Sequence, residues 1–400
     1  MTAGKNDRPR VSRDGRNPAV SHETTETAIE ECSVAASEPE TFGELHFGGA
    51  ELGDARRTKR LVRVANAIMR HPGGTLPEKM GGPAELEAMY HLMNCEEVTH
   101  ESVLAPHIAL TRKKIAEHDG FVLAIHDTTE LDFTTRESLS DRGQIGNGSH
   151  QGWLCHNTLI VDPVHREAMG LANQILHCRP VESKKETTAE KRSRLDRESR
   201  LWLQGVQSLP SDQKIVDVCD RGADTFEFLE HEVRSGRTFV VRSSYDRGTY
   251  CSDEKNATKT MLHPVARSLP SLGEWTMKVE ASKTKKTVRK TVNGKRISET
   301  VVVDRKAREA VVHVSASPVI VAAPRRHRGH HGNKPLPMWV VRVWEPNPPA
   351  GAEALEWILL TNHACTDLEA AQRVKSWYEC RWICEEFHKG QKTGCGIENP

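Results

Sequence analysis

The chain has 400 residues, 37% of them hydrophobic, enough for a sizeable core and for two or three domains. A formal net charge of +1 excludes a globally basic nucleic-acid binder, so any contact with DNA has to come from local patches. Ten scattered cysteines without Cys-x2-Cys spacing, and the lack of a signal peptide or transmembrane run, exclude a disulfide scaffold and a membrane protein and lead to the expectation of a reduced, cytoplasmic protein.

In chain order, Met1 to Thr41 is polar and aperiodic and reads as a disordered tail, whose Arg8, Arg10, Arg13 and Arg16 either touch DNA or are simply solvated. Residues 42–118 turn helical. Leu61, Val64, Ala65 and Ile68 recur at i, i+3, i+4 and i+7 behind Asp54 as an N-cap. Arg56, Arg57, Lys59, Arg60 and Arg63 surround that stripe, a face that suits phosphates as well as water. Pro72-Gly73-Gly74 stops the helix, and 85–94 and 99–117 read as two more, with Tyr90, Leu92 and Met93 as apolar positions.

Gly120 opens an α/β part that runs to the end of the chain, residues 119–400. The apolar run Phe121–Ile125 ends in His126-Asp127-Thr128-Thr129. A polar loop, Thr134–Gln151, leads to two strands around Asp162-Pro163. Thr188–Leu209 reads as one long charged helix with Leu195, Leu201, Trp202 and Val206 as its core stripe. The run Ile215–Cys219 ends in Asp220-Arg221-Gly222-Ala223, and a helix and the strand Thr238–Arg242 follow. Both runs read as strands buried on two faces, each delivering an Asp at its carboxyl end, where open α/β sheets place ligands. Two such Asp and a helix-borne Glu suit hard divalent cations.

From about residue 243 to 349, alternating segments and the turns Asn293-Gly294 and Asn347-Pro348 describe an inserted antiparallel β-domain. One of its hairpins carries Lys283, Lys285, Lys286, Arg289, Lys290, Lys295 and Arg296, to lie along DNA or in water, and Arg325–His331 reads as a solvated basic loop. A strand with Trp357 precedes the last helix, Asp367–Gly390. Tyr378, Arg381, Glu385 and Lys392 follow one another at i+3, i+4 and i+7 and share one face if the helix is continuous. That stripe is either a mixed-charge surface or a site. Trp377, Trp382, Ile383 and Phe387 supply apolar surface to bury. Cys380, Cys384 and His388 fall at i+4 steps, but the absence of a second pair nearby favours packing over a metal site.

Tyr378-x2-Arg381-x3-Glu385-x6-Lys392, with Glu385-Glu386-Phe387-His388-Lys389, Lys392-Thr393-Gly394, Asp127-Thr128-Thr129 and Asp220-Arg221-Gly222-Ala223-Asp224, resembles the Y-R-E-K signature and its carboxylate partners in bacterial insertion-sequence transposases of the IS-four type. The resemblance runs from about Phe42 to the end. It implies an RNase H-like catalytic core with an inserted antiparallel β-domain, preceded by a small helical DNA-binding domain. It implies that Asp127, Asp220 and Glu385 are catalytic and hold two Mg2+ ions, for which Mn2+ can substitute. Tyr378, Arg381 and Lys392 would then bind phosphates, Arg242 the DNA backbone, and Trp357 a flipped base, where without the resemblance Trp357 reads as core and Arg242 as a surface residue. Leu52-Gly53-Asp54-x-Arg56-Arg57-Thr58-x-Arg60-Leu61 is similar to the family's end-binding domain, which makes Arg56, Arg57 and Arg60 expected DNA contacts.

The implied function is cut-and-paste transposition on the bacterial nucleoid, with inverted-repeat ends, target DNA and a second copy of the chain as partners. The chain stops at Asn399-Pro400, so the family's C-terminal dimerisation helices are expected to be absent. That favours a monomer in solution and opens an alternative, a catalytically impaired relative that regulates its element by binding DNA. A ribonuclease-type nuclease on the same fold fits the basic helical segment less well.

Overall fold

Apolar runs of five or more residues are long enough for a strand and too short for a buried helix, and here they assemble side by side into one sheet. The computed structural model describes residues 41–398 apart from 147, 181–185, 212–213, 251–257, 280, 293–294, 325–329, 351 and 353. The arginines of the N-terminal tail, the Asn293-Gly294 turn and most of the Arg325–His331 loop lie outside the described residues, as do the side chains of the basic hairpin.

Five helices come first: α1 (Phe42–Phe47), α2 (Ala55–Arg70), α3 (Leu76–Met80), α4 (Pro83–Met93) and α5 (His100–Glu117). Asp54 caps α2 by accepting the Arg56 N–H at 2.8 Å, and Leu61, Val64 and Ala65 are its buried stripe. Thr41 and Glu44 form a capping box on α1, and Thr99 caps α5. On α4, Leu92 is buried, whereas Tyr90 and Met93 face solvent. Helix α5 docks on the sheet through Ile115 and through Lys114, whose Nζ donates to the Met169 carbonyl at 2.9 Å.

The α/β part follows as β1 (Val122–Asp132), β2 (Gly143–Gln144), β3 (Gln151–Asp162), β4 (Glu167–His177), α6 (Thr188–Ser193), α7 (Leu201–Gln207), β5 (Ile215–Cys219), α8 (Phe226–Ser235) and β6 (Thr238–Arg242). Next come β7 (Gly248–Tyr250), β8 (Thr260–Met261), α9 (Leu262–Ser268), β9 (Gly273–Val279), β10 (Ser282–Val292), β11 (Lys295–Arg305), β12 (Arg308–Val321), β13 (Leu336–Trp344), β14 (Glu356–Thr361), α10 (Leu368–Glu379) and α11 (Trp382–Lys389). Strand β1 lies between β3, antiparallel, and β5, parallel; β4 pairs with β3, and β6 pairs parallel with β5. Strand β14 then joins β6 antiparallel and carries the sheet on through β13 and β12. This is a mixed α/β protein with a helical N-terminal region and one large mixed sheet.

Two expectations change. The stretch 243–349 does not close on itself: β12 and β13 extend the main sheet through β14, and β10–β11 alone form a separate two-stranded sheet among the described residues. The reason is burial on both faces, since Val341 and Val343 belong to the core under α10 while Val340 and Met338 belong to the core on the opposite side. The long helix expected over 188–209 is broken between α6 and α7. Arg194 pairs with Glu186 and Asp196, and Arg197 reaches Glu227 on α8 at 2.6 Å, which draws the backbone into an extended path and leaves Leu195 exposed.

On the α7–α8 side of the sheet, a buried ionic network ties three strands together. Asp217 of β5 accepts from Arg237 Nε at 2.8 Å and Nη2 at 3.1 Å, and contacts His126 Nε2 of β1 at 2.9 Å. Gly205 of α7 passes directly over this spot: a Cβ there would lie 2.8 Å from His126 Nδ1 and 2.9 Å from His156 Nε2. Removing one partner of a buried pair leaves the other charge uncompensated. Asp217→Ala is therefore expected to lower unfolding stability by about 3–5 kcal/mol, read from the urea midpoint. A loss within experimental error would mean that the network contributes nothing net.

Candidate active site

The parallel register of β1 and β5 ends with His126 opposite Cys219, which puts Asp127 and Asp220 next to each other one residue on. Strand side chains alternate, so these two follow Ile125 and Val218 on the face covered by α10 and α11. The register of β5 and β6 ends with Cys219 opposite Val241, so Asp220 is in turn flanked by Arg242. Asp220 stays in place by capping the short turn Arg221–Ala223, its Oδ1 accepting the Gly222 N–H at 2.9 Å. Gly222 is required there, because a Cβ would lie 2.3 Å from the Trp202 ring.

Asp127 Oδ1 accepts from the Thr128 N–H and Oδ2 from Arg381 Nη1, both at 2.9 Å. The other arm of the Arg381 fork donates to Glu385 Oε1. One guanidinium thus bridges Asp127 and Glu385, and the three expected carboxylates share one neighbourhood. Burial raises the Asp127 pKa; Arg381 and the Thr128 N–H offset part of this, and the Glu385 charge adds to it. Burial likewise raises the Asp220 pKa, with the Asp127 charge as the next contribution. Arg381 and Arg242 do not fully offset this crowding, and hard carboxylate oxygens so arranged are a donor set that suits Mg2+ or Mn2+.

Tyr378 is buried, which raises its pKa against the pull of the nearby Arg242 and Arg381 charges, and its ring meets that of Trp357 edge-on at 5.3 Å. Arg242 donates to the Glu356 carbonyl at 3.3 Å, and burial lowers its pKa. Arg242, Trp357, Tyr378, Arg381 and Glu385 line a cleft of about 900 Å³. Among the further residues of this cleft, none expected as a site residue, are Arg166 and Lys375, which both pair with Glu379, and Lys278 and Trp382. Trp382 is half exposed at the lip, not buried as its helical position suggests. Its neighbours Arg381 and Glu385, both polar, mark that side of the helix as open. A second cavity, of about 990 Å³, lies beyond Gly222, but its Arg179, Arg194 and Arg197 are paired with Glu198, Glu186 and Glu227.

Lys392 does not join the stripe. The expected single helix breaks at Cys380–Arg381, where the bonds tighten to the i−3 carbonyl, and widens again into a π turn over Gly390–Gly394. Each change rotates the residues beyond it about the helix axis. Lys392 Nζ lies 3.3 Å from Glu398, which also accepts the Asp132 N–H. Cys380 turns away as well, its Sγ on the Ser376 carbonyl. On α2, Arg56 pairs with Asp54, Arg57 with Glu97 and the Leu52 carbonyl, and Arg60 with Glu85. Arg57 and Arg60 are thus partly engaged within the protein, while Arg56 stands exposed on one face with Lys59, Arg63 and Arg70.

Residues 39–98 match a family model described as transposase DNA-binding. The match covers α1 to α4 and stops before α5 and the sheet, so it speaks for DNA as a partner of the helical part and for a transposase. Among the described residues no helix is long and apolar enough to cross a membrane.

Crowding of Asp127 and Asp220 has a measurable consequence. A carboxyl whose folded pKa is raised is harmless below its unfolded pKa, costs stability as pH rises from there, and costs the full amount above its folded pKa. Asp220→Asn is therefore expected to raise Tm in metal-free buffer at neutral pH, with the gain shrinking towards pH ~4, where carboxylates take up protons. A Tm gain that is the same at both pH values would contradict the charge origin of the effect.

Proposed function

We propose that the chain is a DDE transposase of the IS-four insertion-sequence type, with an RNase H-like catalytic core, that cleaves and joins DNA strands at the ends of its element. The observation that carries the reading is the meeting of Asp127 and Asp220 at the ends of adjacent parallel strands, with Glu385 brought to Asp127 through Arg381. The strand order β4-β3-β1-β5-β6, antiparallel on one side of β1 and parallel on the other, supports the RNase H-like assignment. The transposase DNA-binding match at residues 39–98 supports the choice of a transposase over a ribonuclease.

In this reading Asp127, Asp220 and Glu385 hold two divalent cations. When bound, such ions supply an activated attacking oxygen and a stabilised leaving oxygen for phosphodiester cleavage. Arg381 releases the carboxylates at that stage, and its fork is then free to take a phosphate in a bidentate grip. Arg242, anchored on the Glu356 carbonyl, places a second cation on the far side of Asp220 for the DNA backbone. Trp357 lines the cleft beside Tyr378 and offers a ring on which a displaced base can stack. Lys392 reaches a phosphate only after leaving Glu398. The helical region α1 to α5 recognises the element's ends, with α2 as its basic helix.

Alanine at Asp127, Asp220 or Glu385 is expected to cut Mg2+-supported cleavage of a duplex carrying the terminal inverted repeat by about 10³-fold or more, equivalent to several kcal/mol of lost transition-state stabilisation. Gel-shift affinity for the same duplex should survive. Near-normal cleavage by Glu385→Ala would remove this helix from the catalytic centre.

A further inference from the structure

A second set of ligand-type side chains surrounds Asp127 on the side away from Asp220. Cys384 Sγ lies 3.7 Å from His388 Nε2, one turn apart on α11. The ligand atoms of Asp127, Cys384 and His388 all lie within 4.8 Å of one another. Cys384 is fully buried, and His388 and Asp127 nearly so. This is not the Cys380-containing trio that the i+4 spacing suggests; the sheet supplies the third member.

The surroundings fix which atoms face the cluster. Asn157 sits opposite Asp127 in the β1–β3 register, on the same face. Its Oδ1 is taken by Gln174 Nε2 at 2.8 Å, which leaves Nδ2 to donate to His388 Nε2 at 3.0 Å. The His388 Nε2 lone pair is thereby spent on the Asn157 amide, which holds the ring as the neutral tautomer, the form in which imidazole binds metal once that hydrogen bond is given up.

A thiol, an imidazole and a carboxylate are a donor set for a borderline or soft cation, whereas the Asp127, Asp220 and Glu385 oxygens are a set for a hard one. We propose that Asp127, Cys384 and His388 form an inhibitory site for Zn2+ or Cd2+, which takes Asp127 away from Asp220 and Glu385. Binding forms a metal–sulfur bond as the Cys384 S–H bond breaks, and the proton leaves to solvent. The Asn157 hydrogen bond to Nε2 is exchanged for the metal–nitrogen bond, and water completes the fourth position. Ligand atoms in a tetrahedral zinc site are roughly 3.5 Å apart, so the trio has to contract by about 1 Å. The inhibitory half of this inference rests on the catalytic role proposed for Asp127; the binding half does not.

The test uses the full chain, stripped of metal. Zn2+ affinity is measured by competition with a chromophoric chelator, and Cd2+ uptake by thiolate-to-cadmium absorption, for wild type, Cys384→Ser and His388→Gln. Both variants are expected to bind Zn2+ at least about 10–100-fold more weakly at one site, and Cys384→Ser to lose one thiolate's share of the cadmium band, with Mn2+ affinity unchanged. Thermal melting checks each variant's fold, and His388→Gln decides if Cys384→Ser is unstable. Wild-type Zn2+ affinity in a folded variant overturns the site. One equivalent of Zn2+ should also suppress Mg2+-supported cleavage in wild type and much less in Cys384→Ser; equal suppression in both overturns the inhibitory role. If wild type cleaves no DNA with Mg2+ alone, the functional reading fails, and the affinity measurements still decide the metal site.

Discussion

The parallel register of β1 and β5 is the constraint on which the site depends. It sets Asp127 beside Asp220 at the spacing of neighbouring strands, about 4.8 Å. At an effective dielectric of about 20, two unit charges at that distance repel by roughly 3 kcal/mol. Nothing in core packing asks for this. The repulsion is tolerated because Arg381 bridges Asp127 to Glu385, and because the strands are fastened from behind. A site strained in this way is poised to accept positive charge, in keeping with the general association of perturbed carboxylates with function.

The fastening comes from the other face of the same strands. His126 and Asp217 point away from α11 and meet Arg237 under α7 and α8. Alternation along β1 therefore separates two polar centres that are one residue apart in sequence: a fully buried ion network, and a pair of crowded carboxylates beside Arg381 and Arg242. Beyond β6 the sheet continues through β14, β13 and β12, which carries Trp357 to the cleft and gives α10 a floor to pack on. These added strands are thus part of the frame that holds Tyr378 against Arg242.

The strand ends were legible because runs such as Phe121–Ile125, wholly apolar, and Ile215–Cys219, apolar and β-branched but for Asp217, have few other places to go in an α/β protein. The two Asp at those ends follow from the runs alone, and the helical cap at Asp54 follows from local chemistry. The features that were not legible depend on partners distant in sequence. Arg197 breaks a helical pattern to reach Glu227, and Arg57 and Arg60 are taken by Glu97 and Glu85. The break at Cys380–Arg381 has no Gly or Pro to announce it, and it decides that Trp382 is open and that Lys392 leaves the stripe for Glu398. Periodicity places residues on a face only while the helix stays regular. Convergence of Asp127 with Cys384 and His388 is likewise invisible to spacing, since one member comes from the sheet.

The central claim is that Asp127, Asp220 and Glu385 form one cation site that Arg381 keeps closed in the free chain. Crystallography with Mn2+ and anomalous scattering tests it most directly. The account predicts manganese peaks coordinated by oxygens of Asp127, Asp220 and Glu385, with the Arg381 fork withdrawn from Asp127 and Glu385. Manganese bound elsewhere, or Arg381 still bridging the two carboxylates with the site saturated, would contradict it.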